Sequence, residues 1–295
     1  MILGDADVRR LLRMEDLVPA MEQALVDLSR GSVVQPQRLV LPVAKHEGFF
    51  FVMPAYGDAL GAKLVTLFPN NEGIPTHHAV IVLFRPDTGE PLVTMDARLI
   101  TEMRTAAVSA VATRFLARPD ASVLCILGSG VQARSHLEAL RLVRPLSDVR
   151  VWSPHHAHTF ADQLGIRAAA SAETAVRDAD LIVTATTSRV PVLRGHWLAP
   201  GAHINAIGAP RPDWRELDDE TLHRARLFVE SRDSAQREAG DVIAAAEVCA
   251  EIGDVIVGRR PGRTSAGDIT LFKSVGVAIE DVAAADLVYR KALLQ

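Results

Sequence analysis

The stretch "LCILGSGVQARSHLEAL", running from Leu124 to Leu140, sets two glycines and an alanine in G-x-G-x-x-A spacing. An apolar run precedes it and a segment able to coil into a helix follows. That is the pattern a bound dinucleotide requires. Gly128 permits a tight turn, Gly130 lets backbone approach a pyrophosphate, and Ala133 allows the helix to pack closely on the strand. Val131 and Gln132 open the helix, where amides lacking an acceptor one turn back suit an anion, and Ser129 lies in the same loop. Glycines also mark turns that bind nothing. Here the loop opens an alternating strand–helix series, the context the motif needs.

The second strand of such a fold ordinarily ends in an acid that accepts from the ribose hydroxyls of NAD and repels a 2′-phosphate. This chain has Ser153 there, in "VWSPHHAH", followed by His155, His156 and His158. Serine can donate to a phosphate, and a partly cationic imidazole can sit beside one. The missing acid therefore points to NADPH, with NADH possible. The alternative is an exposed loop that happens to be rich in histidine.

These residues need a scaffold, and the pattern of the chain supplies one. "DADVRRLL" and "MEDLVPAMEQALVDLS" suit helices. The short runs "RLVLPVA", "GFFFVMPAY", "GAKLVTLFP", "HAVIVLFRP" and "PLVTMD" suit antiparallel strands joined by tight connections. "ARLITEMRTAAVSAVATRFLA" reads as a long helix leading into the next domain. From Ala121 strands alternate with helices, which implies a doubly wound parallel sheet of about six strands. The final "SVGVAIEDVAAADLVYRKALL" is an amphipathic helix that folds back on the N-terminal part. The expected division is 1–118 with 275–295 as one α+β domain and 119–274 as a Rossmann-type α/β domain.

At 295 residues with 48% apolar content, the chain can fill a sizeable core, and its net charge of −4 offers no broad basic face for nucleic acid. Two cysteines, Cys125 and Cys249, make no disulfide framework and fit a reducing compartment. The start shows no basic region followed by an apolar one, and no apolar run reaches the roughly 20 residues needed to span a bilayer. The expectation is a cytoplasmic protein without membrane or nucleic-acid partners. No Cys/His cluster has metal-ligand spacing, and "HHAH" carries no carboxylate or thiol at a suitable offset.

Several segments together, "VVQPQRLVLPVAKH", "VMPAY", "KLVT", "TEMRTAAVSAVAT", "ILGSGVQA", "PGAHINAIGAPRPDWRELDDE", "REAGD" and "LFKSVGVAIED", resemble the ornithine cyclodeaminase/mu-crystallin family. They follow the family's order over nearly the whole chain. "RPDWRELDDE" brings it nearest to the mu-crystallin branch, whose members resemble ketimine reductases. The resemblance implies a homodimer built from the N-terminal strands and substrates that are small amino or imino acids. It places the carboxylate-binding and catalytic cations at Arg38, Lys63 and Arg104. All three sit in otherwise apolar stretches, where a cation is costly unless paired, and a guanidinium matches a planar carboxylate with two prongs. Alternatively each cation reaches water or pairs with a structural acid. Further candidates on the cofactor side are Thr105, Thr184, Thr186, Ile207, Gly208 and Ser274. On the substrate side, Thr76 lines the pocket and His77, beside His78, is a possible proton donor.

One departure bears on the reaction. Cyclodeaminases and alanine dehydrogenases of the family carry an Asp where the turn Gly208-Ala209-Pro210 has proline, which has no proton to exchange. Cyclodeamination needs several proton movements, whereas a preformed cyclic ketimine can arrive protonated and needs only a hydride. The expected activity is therefore NADPH-dependent reduction of pyrroline- or piperideine-2-carboxylate to proline or pipecolate. An ornithine or lysine cyclodeaminase and a non-catalytic NADPH and small-ligand binding protein are the alternatives. Asp213 is expected to cap the helix that follows, not to replace the missing acid.

Overall fold

The computed structural model describes the whole chain, Met1–Gln295. It divides into two compact units, Met1–Arg104 with Gly276–Gln295, and Thr105–Val275.

The first unit opens with β1 (Ile2–Leu3), α1 (Asp5–Leu11) and α2 (Met14–Ser29). Leu17, Val18, Met21, Ala24 and Leu25 recur at three- and four-residue spacing and bury one side of α2. Strands β2 (Leu39–Val43), β3 (Gly48–Tyr56), β4 (Leu60–Leu67), β5 (His77–Phe84) and β6 (Pro91–Asp96) follow. They form one sheet in the order β1-β6-β5-β4-β3-β2, antiparallel from β2 to β6, with β1 added parallel to β6. Alternation along "GAKLV" puts Lys63 on the same buried face of β4 as Gly61 and Val65.

Helix α3 (Arg98–Leu116) is continuous, and the division between the units falls inside it, not after it at residue 118 as the sequence suggested. Its later turns are bound into the second unit. Ser109 Oγ lies 2.9 Å from His136 Nε2, Asn205 Nδ2 donates to Thr113 Oγ1 at 2.9 Å, and Arg144 donates to the Thr113 carbonyl. Sequence punctuation marks where a helix ends, whereas a unit ends where packing changes.

The second unit contains β7 (Val123–Leu127), α4 (Val131–Val143), β8 (Asp148–Trp152), α5 (Ala157–Leu164), β9 (Arg167–Ala168), α6 (Ala172–Val176) and β10 (Leu181–Thr184). There follow β11 (His203–Ala206), α7 (Asp219–Arg224), β12 (Ala225–Val229), α8 (Arg232–Glu238), α9 (Gly240–Ile243), β13 (Ala250–Glu251), α10 (Ile252–Ile256) and β14 (Ile269–Lys273). All pairings are parallel, in the order β13-β12-β14-β11-β10-β7-β8-β9. The sheet thus has eight strands where about six were expected. Strand β13 has only two residues, and β14 was hidden because "ITLFK" carries a lysine inside a run that is buried throughout.

The last helix, α11 (Ala278–Ala292), returns to the first unit and packs on α2, β3, β4 and β5. No helix is long and apolar enough to cross a membrane.

Candidate active site

In the first unit, β4, α3 and α11 bring charge into a dry place. Lys63 and Arg104 are buried, and Glu280 and Asp281, in the first turn of α11, have no exposed surface. Lys63 Nζ lies 2.6 Å from Asp281 Oδ2, Arg104 Nε donates to Asp281 Oδ1 at 3.0 Å, and Arg104 Nη1 donates to Glu280 Oε2 at 2.7 Å. Half-buried Arg38 donates to the Gly276 carbonyl at 2.5 Å. Glycine is required at position 276: φ is +71°, and a Cβ there would lie 2.3 Å from Arg104 Nη1.

Two of the three cations predicted from sequence are thus paired with acids that sequence reasoning did not assign. A signal was available, because a buried cation demands a buried partner, and "AIED" places adjacent acids in an apolar helix. Arg38, Lys63 and Arg104 thus gather around Glu280 and Asp281, and guanidinium groups in such a place can grip a planar carboxylate with two prongs. The first turn of a helix also favours Glu280 and Asp281 as anions.

Burial pulls the Lys63 ammonium down to about 8, against the attraction of Asp281 and with the help of Arg104 and Arg38. Burial pushes the Asp281 carboxyl up, but Arg104 and Lys63 outweigh it and hold the group below the ordinary range. At neutral pH both partners are therefore ionised. Thr76, His77 and His78 stand exposed at and before the start of β5. Desolvation of the ring, then the Lys63 and His78 charges, lower the His77 pKa and favour its neutral form.

In the second unit the glycine loop has the geometry a dinucleotide needs. Gly128 has φ +119°, and a Cβ there would strike the Ala185 carbonyl at 2.3 Å. Space opens beside Gly130, which caps α4, and Ala133 is fully buried. This is a cradle at a helix N-terminus, so the residues fit a pyrophosphate. Ser129 Oγ donates to Ser153 Oγ at 2.9 Å, tying the loop to the end of β8. Ser153 Oγ also accepts from the His156 amide, while the side chains of His155 and His156 stay exposed. Thr105 is buried near the start of this unit.

Other candidates on the cofactor side make hydrogen bonds to buried acids of the second unit. Thr184 and Thr186 give their hydroxyls to buried Glu216, at 2.8 Å and 2.5 Å. Ser274 gives its hydroxyl to buried Glu230 at 2.5 Å. The Ile207 and Gly208 amides both donate to the Thr184 carbonyl, joining the ends of β10 and β11. The turn beyond them carries Ala209 at φ +53° and an exposed Pro210.

Asp213 caps nothing. It pairs with Arg211 at the surface, and Asp218 is the cap of α7, accepting from the Thr221 amide. Cys125 is a fully buried core residue whose thiol burial pushes up. His196, Asp218 and Glu220 bring ligand atoms within 4.8 Å of one another at the surface, but Asp218 is already engaged as the cap.

The sequence profile of the ornithine cyclodeaminase/mu-crystallin family matches residues 1–295. Ketimine reductase mu-crystallin of Rattus norvegicus is 48% identical over 286 residues, covering 92% of this chain and 91% of that protein. The structure of Thermococcus litoralis Δ1-pyrroline-2-carboxylate reductase in complex with NADH and L-proline superposes with a TM-score of 0.95 at 39% identity, covering 100% of this chain and 98% of that one. An archaeal alanine dehydrogenase dimer with bound NAD also gives a TM-score of 0.95, at 38% identity and with 100% and 96% covered.

Proposed function

The chain belongs to the ornithine cyclodeaminase/mu-crystallin family, and from that premise we propose that it is an NADPH-dependent reductase of cyclic ketimine carboxylates. Pyrroline-2-carboxylate would give proline, and piperideine-2-carboxylate would give pipecolate. The observation that carries this reading is the buried set Lys63, Arg104, Glu280 and Asp281 with Arg38 beside it. Arg38 and Arg104 hold the substrate carboxylate, and the set keeps water from competing for it. The glycine loop of Gly128 and Gly130, with the start of α4, would hold the dinucleotide, which when bound would be the source of the hydride. The nitrogen needs one proton to complete C=N to CH–NH. A substrate arriving as the iminium already carries it, and a neutral imine takes it from the Lys63 ammonium, poised near 8.

Cyclodeamination fits the residues less well. The turn after β11 has Pro210, and Asp213, the nearest acid in sequence, is spent on Arg211. Ser153 at the end of β8 in place of an acid supports NADPH over NADH. A homodimer through the first unit is part of the same reading, in keeping with the alanine dehydrogenase dimer.

The test is a panel of NADPH- and NADH-oxidation assays with cyclic and linear imino acids, run beside ammonia release from ornithine and lysine. Cyclic ketimine carboxylates should be reduced, NADPH should be preferred, and no ammonia should appear. Ammonia release at a rate matching ketimine reduction would overturn the assignment. Cofactor binding without turnover of any imine would point to a binding protein.

A further inference from the structure

Glu216 is fully buried, yet its carboxylate is not part of the cation cluster. Its two oxygens take three hydrogen bonds, from Thr184 Oγ1 at 2.8 Å, the Thr186 amide at 2.8 Å and Thr186 Oγ1 at 2.5 Å. The carboxyl group lies flat against Gly208, where a Cβ would come within 2.3 Å of the carboxyl carbon. On its other side Gly208 is held by its carbonyl, which accepts from the buried Lys273 ammonium. Lys273 Nζ in turn lies 3.6 Å from Asp241 Oδ2, and Asp241 Oδ1 accepts the Glu216 and Leu217 amides at 3.2 and 3.1 Å.

Three buried charges are an expensive way to hold a core, since apolar side chains of the same volume do that as well or better. These charges converge on one place instead. They fix the backbone at the carboxyl ends of β10 and β11, the end of a parallel sheet where ligands bind. Gly208 is clamped at both its Cα and its carbonyl. The next residue, Ala209, is held in the left-handed region at φ +53°, a strained conformation that persists only where its surroundings impose it.

We propose that Glu216, with Lys273 and Asp241, positions the Gly208–Pro210 turn and the Thr186 backbone against the nicotinamide end of the dinucleotide, and so governs hydride transfer more than cofactor affinity. The inference rests on the reductase reading above for its kinetic consequence, though not for its structural one.

Glu216→Gln keeps the size of the side chain but removes its charge and replaces one acceptor oxygen with an NH2 donor, so the three hydrogen bonds from Thr184 and Thr186 can no longer all be accepted as they stand. In the cofactor-free protein, amide hydrogen exchange over residues 207–212 should rise at least tenfold while the rest of the second unit is unchanged. NADPH dissociation constants from calorimetry should move less than about threefold. By contrast kcat should fall about ten- to hundredfold at nearly constant KM, and the isotope effect with 4-deuterated NADPH should increase as hydride transfer becomes slower. Should this variant not fold, Thr186→Ala removes one of the three bonds and should show the same changes more weakly. Unchanged exchange in the turn would overturn the proposal. So would a rise in exchange throughout the unit, or losses in affinity and kcat of equal size. If the wild-type protein reduces no cyclic imine, the functional reading fails, and the exchange and calorimetry results still judge the positioning of the turn.

Discussion

In the proposed reaction Lys63 would both neutralise Asp281 and supply a proton, and burial, which draws its ammonium down to about 8, would allow both. The sign of its pH dependence can be worked out. The folded value lies below the unfolded 10.5, so between about pH 8 and 10.5 the unfolded chain binds the extra proton and the contribution of this site to stability rises with pH. Activity runs the other way, because a deprotonated amine cannot donate. For a substrate that arrives as the neutral imine, kcat/KM should fall as pH passes about 8 while thermal stability attributable to this site does not. Lys63→Arg, which does not titrate in this range, should lose the inflection along with most of the activity. A profile flat from pH 7 to 10 would remove Lys63 as the donor. For Arg104 the informative change is to lysine, which preserves the charge facing Glu280 and Asp281 but not the fork. Arg104→Lys should lower kcat/KM for imino acids about ten- to hundredfold, roughly 1.4–2.7 kcal/mol, with NADPH affinity intact. Wild-type kinetics in that variant would take the residue out of the site.

At the scale of elements, what the sequence disclosed and what it hid follow the reach of each signal. Helix α2 and strands β2 to β6 were legible because hydrophobic period and turn residues act within a few positions. The glycine loop was legible because φ +119° at Gly128 excludes other residues. By contrast, the partners of Lys63 and Arg104 lie on α11, well over a hundred residues away, and only the fold brings them together. Charge balance could have flagged Glu280 and Asp281 but not which cation each meets. Strand β14 and Glu216 were missed for a shared reason. A lysine inside "ITLFK" and an acid inside "WRELD" look like surface residues until both are seen buried around Gly208. Asp213 and Asp218 show the limit of capping arguments, since either could precede the helix and only backbone geometry selects Asp218. The sequence placed the change of unit after residue 118, whereas the compact units divide inside α3, which carries no break there to mark it.

At the scale of the whole molecule, the edge of the six-stranded sheet argues for a second copy of the chain. Strand β2 is an outer strand, and its successive residues Leu39, Val40 and Leu41 are 56%, 46% and 52% exposed. Successive side chains point to opposite faces, so neither face of β2 is covered within one chain. An apolar strand in that state is a hazard unless something covers it. Pro42 lowers one part of the hazard by removing a backbone donor from the edge, which discourages strand-by-strand extension. On the proposed homodimer the side-chain faces would be the contact, a closed pair in preference to a growing sheet. The wild-type protein should therefore show about twice the 31.9 kDa chain mass by light scattering at micromolar concentration. Leu41→Asp would put a charge into that proposed contact and should weaken association by on the order of 2 kcal/mol or more, about thirtyfold in dissociation constant. Its nucleotide unit is untouched, so NADPH affinity should persist in the dissociated chains. A monomeric mass for the wild type, or a dimer indifferent to Leu41→Asp, would show that this face is not where two copies meet.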